Sequence, residues 1–321
     1  MTTTLTLTLS LTLALDYAFC APQVTPTMLP WDAPLAQLWQ SPDRPGASGP
    51  GEGRIATRDL FYGPWGPERA PDPRAIYTVI GRTQDGTDSE ITVRDPQGRE
   101  WHVKQSPRTD QSTERPNEVV LSRVLSAVGY HQPPVYFQPS LTVADGRGTH
   151  AEPGGRFRRA DTSIKPIDRW SWQQNPFVGM RPYQGLLVIL LMFGSAEFQN
   201  ENNVLYEVQQ PGAGLAHWYV ARDLGSATID GRPLILGVEN GVVLFNYHGR
   251  HQELLQAIDP LDVRFAVELL QQLTDDQWRD AFRAGGYQEE AAAPLIAHLQ
   301  QRLDEARRIA CRQTTVASSS R

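Results

Sequence analysis

A chain of 321 residues is long enough for two domains or lobes around a shared core, and its 40% apolar and 21% charged residues lie within the ordinary globular range. A net charge of −6 argues against a nucleic-acid binder, which needs a basic face to neutralise phosphates, so no nucleic acid is expected as a partner. The two cysteines, Cys20 and Cys311, form no CxxC and no Cys/His cluster, which excludes a disulfide framework and a structural zinc site. The longest apolar run, 186–193, falls far short of the ~20 residues that cross a bilayer.

In chain order, residues 1–21 are expected to be a secretory signal or a disordered start. The stretch 5–15 is apolar and Ala18-Phe19-Cys20-Ala21 supplies small residues, but no Lys or Arg precedes Arg44, Asp16 interrupts, and Thr/Leu alternation also suits a strand. Cytoplasmic and exported locations both stay open. Residues 22–75, rich in Pro and Gly, read as a linker and extended arm. From Ile76 the texture changes to short strand-like runs at 76–80, 90–94 and 100–104, the last two joined by the turn Asp95-Pro96-Gln97-Gly98. A helix over 117–128 follows, with Val120, Val124, Leu125 and Val128 at helical spacing and Gly129 as its stop. The stretch 139–176 reads as irregular.

The apolar run 185–193 predicts a buried helix leading into a polar loop, 194–203. Strands are expected at 203–208 and 217–222, joined at Pro211-Gly212-Ala213-Gly214. Helices with apolar stripes are expected at 261–273, 275–284 and 291–308, then a disordered tail over 309–321. The fold class is therefore α+β: a small antiparallel sheet plus one helix over 76–180, then a mostly helical part with a hairpin inside it over 181–308.

All but two of the 30 basic residues are arginine; the exceptions are Lys104 and Lys165. Lys104 ends a strand, where a compact ammonium suits phosphate oxygens that a guanidinium fork would not fit. Glu118 begins the helix fourteen residues later, a place the helix dipole favours for any carboxylate, and Glu114 is its nearby rival. Asn202 and Asp223 flank the hairpin, which should return an amide oxygen and a carboxylate to one point, a pair suited to Mg²⁺ shared with nucleotide phosphates. Taken singly, each has a structural alternative: a surface lysine, a dipole-stabilising glutamate, a polar loop, a turn at Asp223-Leu224-Gly225. Their common order and spacing favour a site. His131, within Gly129-Tyr130-His131-Gln132-Pro133-Pro134, reads as part of a turn leading into another strand. Arg156, Arg158 and Arg159 form a basic cluster that is solvated or contacts an acidic partner or phosphate. Trp278, Phe282 and Tyr287 read as helix core, and no GxSxG supports hydrolase chemistry.

These residues resemble the protein-kinase-like superfamily, in its atypical branch with HipA-type, lipid and secretory-pathway kinases. More narrowly, they resemble a bacterial family with GREWxVK, EVxxSRxxxAxGYHQPP, DxKxxNN and YVxxDLG segments. Here these stand at Gly98-Arg99-Glu100-Trp101-His102-Val103-Lys104, at 118–134, within 194–203, and at Tyr219-Val220-Ala221-Arg222-Asp223-Leu224-Gly225. The resemblance covers about residues 55–305. It implies a two-lobed fold that binds ATP and Mg²⁺, with Lys104 on the phosphates, Glu118 as its partner, and Asn202 and Asp223 as metal ligands. Counting back from Asn202, Glu197 stands where the family carries its catalytic Asp, and Gln199 where it carries a loop Lys. The longer carboxylate misplaces a base, and the lost charge would have steadied the moving phosphoryl group. No GxGxxG exists; Gly81 to Gly86 is the loop in position.

The implied function is phosphotransfer from nucleotide to a protein, lipid head group or small molecule, with Glu197 as the candidate base. The alternative is a pseudokinase that binds nucleotide without efficient transfer; a third reading is an exported interaction protein with no nucleotide.

Overall fold

The computed structural model describes residues 33–42, 54–85, 88–105, 114–194, 198–210, 214–222, 224–226, 229 and 232–318. All belong to one unit, Asp32–Arg321; the other unit, Met1–Trp31, holds the N-terminal segment expected to be a signal and lies outside the described residues.

The strands β1 (Ile76–Asp85), β2 (Asp88–Arg94) and β3 (Glu100–Gln105) form where the alternating runs predict them. Asp95 holds the β2–β3 turn: its carboxylate accepts hydrogen bonds from the backbone N–H groups of Gln97 and Arg99, from Arg99 Nε and from Trp101 Nε1. Two further strands, β4 (Tyr136–Asp145) and β5 (Gly148–Arg159), close the sheet into a barrel of order β1-β2-β3-β5-β4, sealed by parallel pairing of β1 with β4. Both fall in the stretch expected to be irregular, because Pro139, Pro153, Gly154 and Gly155 read as strand breakers. Closure is what requires the glycines. A Cβ on Gly155 would lie 2.1 Å from the carbonyl oxygen of Lys104, and one on Gly154 would lie 1.9 Å from that of Gln138. Tyr77, Ile91, Val93, Trp101, Val103, Leu141, Val143 and Phe157 fill the barrel.

Helix α2 (Glu114–Ala127) lies between β3 and β4 in sequence. Gly129, at φ 103, ends its last turn with a backbone bond from Tyr130 N–H to Leu125 C=O, a conformation glycine adopts at low cost. Its apolar stripe joins a second and larger core rather than the barrel interior. That core contains α3 (Arg181–Met192), buried almost throughout, and faces of α4 (Pro260–Leu270), α5 (Asp275–Ala284) and α6 (Glu289–Ser318). α6 runs past residue 308, where a tail was expected to begin, because no Gly or Pro interrupts 309–318. Asp259 and Thr274 cap α4 and α5 with reciprocal capping boxes.

A three-stranded sheet of order β6-β7-β8 comprises β6 (Ile164–Asp168), β7 (Val204–Gln210) and β8 (Gly214–Val220). β6 is a further strand inside the supposedly irregular stretch, and the hairpin of β9 (Ile235–Glu239) and β10 (Val242–Phe245) was not expected. Among the described residues of 22–75, which read as a linker and extended arm, stand helix α1 (Ala33–Leu38) and three single 3₁₀ turns, and Leu38, Ile55 and Leu60 are buried in the larger core. Gln277 Nε2 donates to the carbonyls of Ile55 and Arg58, and Arg58 donates to those of Ser126 and Ala127 at the end of α2.

Gly155→Ala should destabilise the chain by about 1–3 kcal/mol, as an overpacked interior does. Urea unfolding checks this; a cost near zero would show that β3 and β5 are not as close as described.

Candidate functional site

The barrel presents one face to α2. Cross-strand pairs put Glu90, Lys104 and Arg156 in one row and Thr92, His102 and Arg158 in the next, and side chains of paired residues share a face. Phe157, between the two arginines, points the other way into the barrel core. Glu118 on α2 is buried, and its carboxylate accepts hydrogen bonds from Arg156 Nη1 at 2.7 and 3.0 Å and from Arg158 Nη2 at 3.0 Å. Burial pushes the Glu118 carboxyl up, but the charges of Arg156, Arg158 and Lys104 and the bond from Arg156 outweigh it and hold the group below its ordinary value. Lys104 and Glu118 therefore share one electrostatic neighbourhood, with two arginines from β5 as the glutamate's direct partners. From sequence these arginines read, with Arg159, as a cluster that is solvated or contacts an acidic partner or phosphate. The signal in the sequence is Arg-Phe-Arg, a period of two that sets both cations on one face of a strand.

Residues 198–203, just before β7, are tightly held. Phe198 has φ 46, rare for an aromatic residue, and packs edge-on to Trp172 and Tyr247. Asn200 accepts from the backbone N–H of Trp172 and donates to Gln173, and Asn203 donates to the carbonyl of Trp170. Asn202, between them, is half-buried on a single 3₁₀ turn. Pairing of Val204 with Val220 brings Asn202 and Arg222 to the same end of the β7–β8 hairpin. Asp223 and Glu197 lie outside the described residues, as does the tip of the hairpin at 211–213 and the end of the loop at Gly86. Among the described residues, no three His, Cys, Asp or Glu side chains are grouped to hold a metal.

A cavity of about 450 Å³ opens between the barrel face and the β6–β7 strands. Pro133, Pro134, Ile164, Pro166 and Tyr206 give it an apolar wall. Arg69, Arg156, Arg158, Arg159 and Arg222 give it a cationic one, with Glu90, His102, Asp161 and the loop Ala160 to Thr162 at its border. Arg222 donates to the Tyr206 hydroxyl at 2.8 Å, and burial raises that phenol above its ordinary value. Its volume and mixed lining are those of small-molecule sites, which run from about 300 to 1,000 Å³. The sequence did not single out Tyr206, Arg222, Arg69 or Asp161, because they come from four separate segments.

His131 is half-buried and is not among the residues that line this cavity. It stacks on Trp218 with ring centroids 4.7 Å apart and lies 2.7 Å from the Ala36 carbonyl, and burial lowers its pKa to about 4. Trp278 and Phe282 are core residues, and the Tyr287 hydroxyl donates to Asn117 on α2.

No family model matches the chain, and no curated protein does. Among solved structures, the proinflammatory kinase CtkA of Helicobacter pylori is 11% identical, with 74% of this chain and 96% of that chain covered and a TM-score of 0.41. The Rio2 kinase of Chaetomium thermophilum, in an ADP/Mg²⁺-phosphoaspartate complex, is 12% identical, with 71% and 72% covered and a TM-score of 0.30. Likenesses this remote carry no argument about activity, so function has to come from the cleft.

Glu118→Gln should cost about 3–5 kcal/mol near neutral pH, because it removes the charge that Glu118 sets against the buried Arg156 and the half-buried Arg158. A carboxyl held low in the folded state adds stability that is present above its unfolded value, near 4.5, and is lost as pH falls through the lower folded value. The stability gap between parent and variant, followed by urea melts, should shrink only below about pH 4.5. A gap that stays constant down to pH 2 would contradict the ion cluster.

Proposed function

We propose that the chain is a nucleotide-binding protein of kinase-like, two-lobed design that takes Mg·ATP in the cleft between the barrel and the β6-β7-β8 sheet. The observation that carries the reading is the composition of that cleft. Strands of the barrel, the crossing loop Ala160 to Thr162, β7 and the residue just before Asp223 all line one cavity, and Glu118 behind it collects the charges of Lys104, Arg156 and Arg158. An apolar wall suits a base, and a cationic wall suits phosphates.

In this reading Lys104 contacts phosphate oxygens, Glu118 fixes the cations around it, and Asn202 and Asp223 are the oxygen donors for Mg²⁺. The bound metal ion would neutralise charge between the phosphate groups. Phosphoryl transfer needs positioning and charge more than covalent help, and Glu197 would accept the proton from the acceptor hydroxyl of a protein, lipid head group or small molecule. A pseudokinase is the second reading. It is favoured by Glu197 and Gln199 in the loop, which lengthen the base and remove a cation beside the transferring group.

The melting temperature with and without Mg·ATP tests binding. Ligand at 100 times its dissociation constant stabilises by about 2.7 kcal/mol, so the parent should shift clearly upward while Lys104→Ala and Asp223→Ala should not. No shift in the parent would contradict the nucleotide reading. Transfer to a test acceptor then separates the two versions: a Glu197→Asp variant that gains activity favours the pseudokinase account, and parent activity that Glu197→Gln abolishes favours the enzyme.

A further inference from the structure

Five arginines, Arg69, Arg156, Arg158, Arg159 and Arg222, line the cleft, against the carboxylates of Glu90 and Asp161 in its lining and of Glu118 behind it. Glu118 lies beneath Arg156 and Arg158, Asp161 faces Arg69 at 3.8 Å and is held low by the charges of both Arg159 and Arg69, and Glu90 faces His102 at 3.3 Å. Arg159 and Arg222 line the same cavity, without a carboxylate of their own at ion-pair distance among the described residues. The Nε of each is buried and makes no hydrogen bond, and Arg222 spends one Nη1–H on the neutral Tyr206 hydroxyl. Guanidinium groups do not shed their proton, and their planar forks match phosphate oxygens in pairs. Surplus fixed cations in a concave, partly apolar site draw anions strongly.

We infer that Arg159 and Arg222 form a metal-independent phosphate subsite, so that the cleft takes a phosphate-bearing small molecule even when no divalent ion is present. This deepens the nucleotide reading of the same cleft and rests on it for the ligand's base-bearing part. A purely Mg²⁺-dependent site would need no such arginines; here the chain supplies positive charge from its own strands. The shared chemistry is a phosphate ester or anhydride, whether or not a nucleoside is attached.

Calorimetric titration of the full chain in EDTA tests this with inorganic pyrophosphate, ADP and adenosine. Pyrophosphate and ADP should bind, and adenosine should bind far more weakly than ADP. Arg159→Gln and Arg222→Gln should each weaken both phosphate ligands at least about tenfold, as loss of a charged hydrogen bond does. Arg159→Lys, which keeps the charge but loses the fork, should fall between. Arg82→Gln, which removes an ion pair to Asp145 and Glu152 on the barrel surface, should change nothing. Melting curves of each variant check folding, and if Arg222→Gln unfolds, the two Arg159 variants decide. ADP binding that needs Mg²⁺ and ignores both arginines would overturn the inference and leave the nucleotide reading standing. Pyrophosphate binding through the arginines, with no binding of ADP or ATP under any condition, would retain the inference and overturn the nucleotide reading. No binding of either phosphate compound in EDTA overturns the inference.

Discussion

A carboxylate buried beneath two arginines ties the two halves of this molecule together. Glu118 sits on α2, whose apolar face belongs to the helical core, while Arg156 and Arg158 sit on β5, whose inward side chains belong to the barrel core. The two larger hydrophobic cores are separate, and a small apolar group of Val119, Val135 and Ala284 with Phe61 and Phe137 packs α2 beside β4. Charges removed from water are costly unless they meet with good geometry, and the cluster therefore tolerates little sliding of α2. That same constraint leaves the arginine-bearing face turned toward the cavity and gives the cleft its charge.

Register and closure make the cluster possible. Gly154 and Gly155 let β5 press against β4 and β3 at once, and the strand then delivers Arg156, Phe157 and Arg158 alternately to the cleft and the core. On the other side, residues 58–65 brace α2. Arg123 is buried with its guanidinium 4.8 Å from the Trp65 ring and 5.1 Å from the Tyr136 ring, and its Nε donates to the Phe61 carbonyl. Burial lowers its pKa to about 10, still far above physiological pH. Contacts from Arg58 to the last carbonyls of α2 add a second hold. Residues that read as a linker are thus part of what keeps Glu118 in place.

Local patterns carried the fold well where periodicity was clean. The strands β1 to β3, the helix with its Gly129 stop, the buried α3 and the tail helices were all legible, because each rests on spacing within one segment. β4, β5 and β6 were not, since Pro and Gly inside them signal breaks locally while serving a close backbone approach that only the closed barrel reveals. The site divided the same way. Lys104 and Glu118 could be singled out by residue type and position, yet the glutamate's partners Arg156 and Arg158 lie 38 and 40 residues away, and nothing in their own neighbourhood shows what they face. Arg222 and Tyr206 meet only because the β7–β8 hairpin folds back on itself.

The place where nucleotide binds is the decisive property of this cleft. Irradiation of the chain with 8-azido-ATP, followed by mapping of the modified peptides, measures that place without assuming any catalytic activity. Labelling confined to 156–166 and 204–210, and suppressed by excess ATP, is the predicted result. Specific labelling on the faces of α4 to α6, or none that ATP suppresses, would contradict a nucleotide cleft between the barrel and the second sheet.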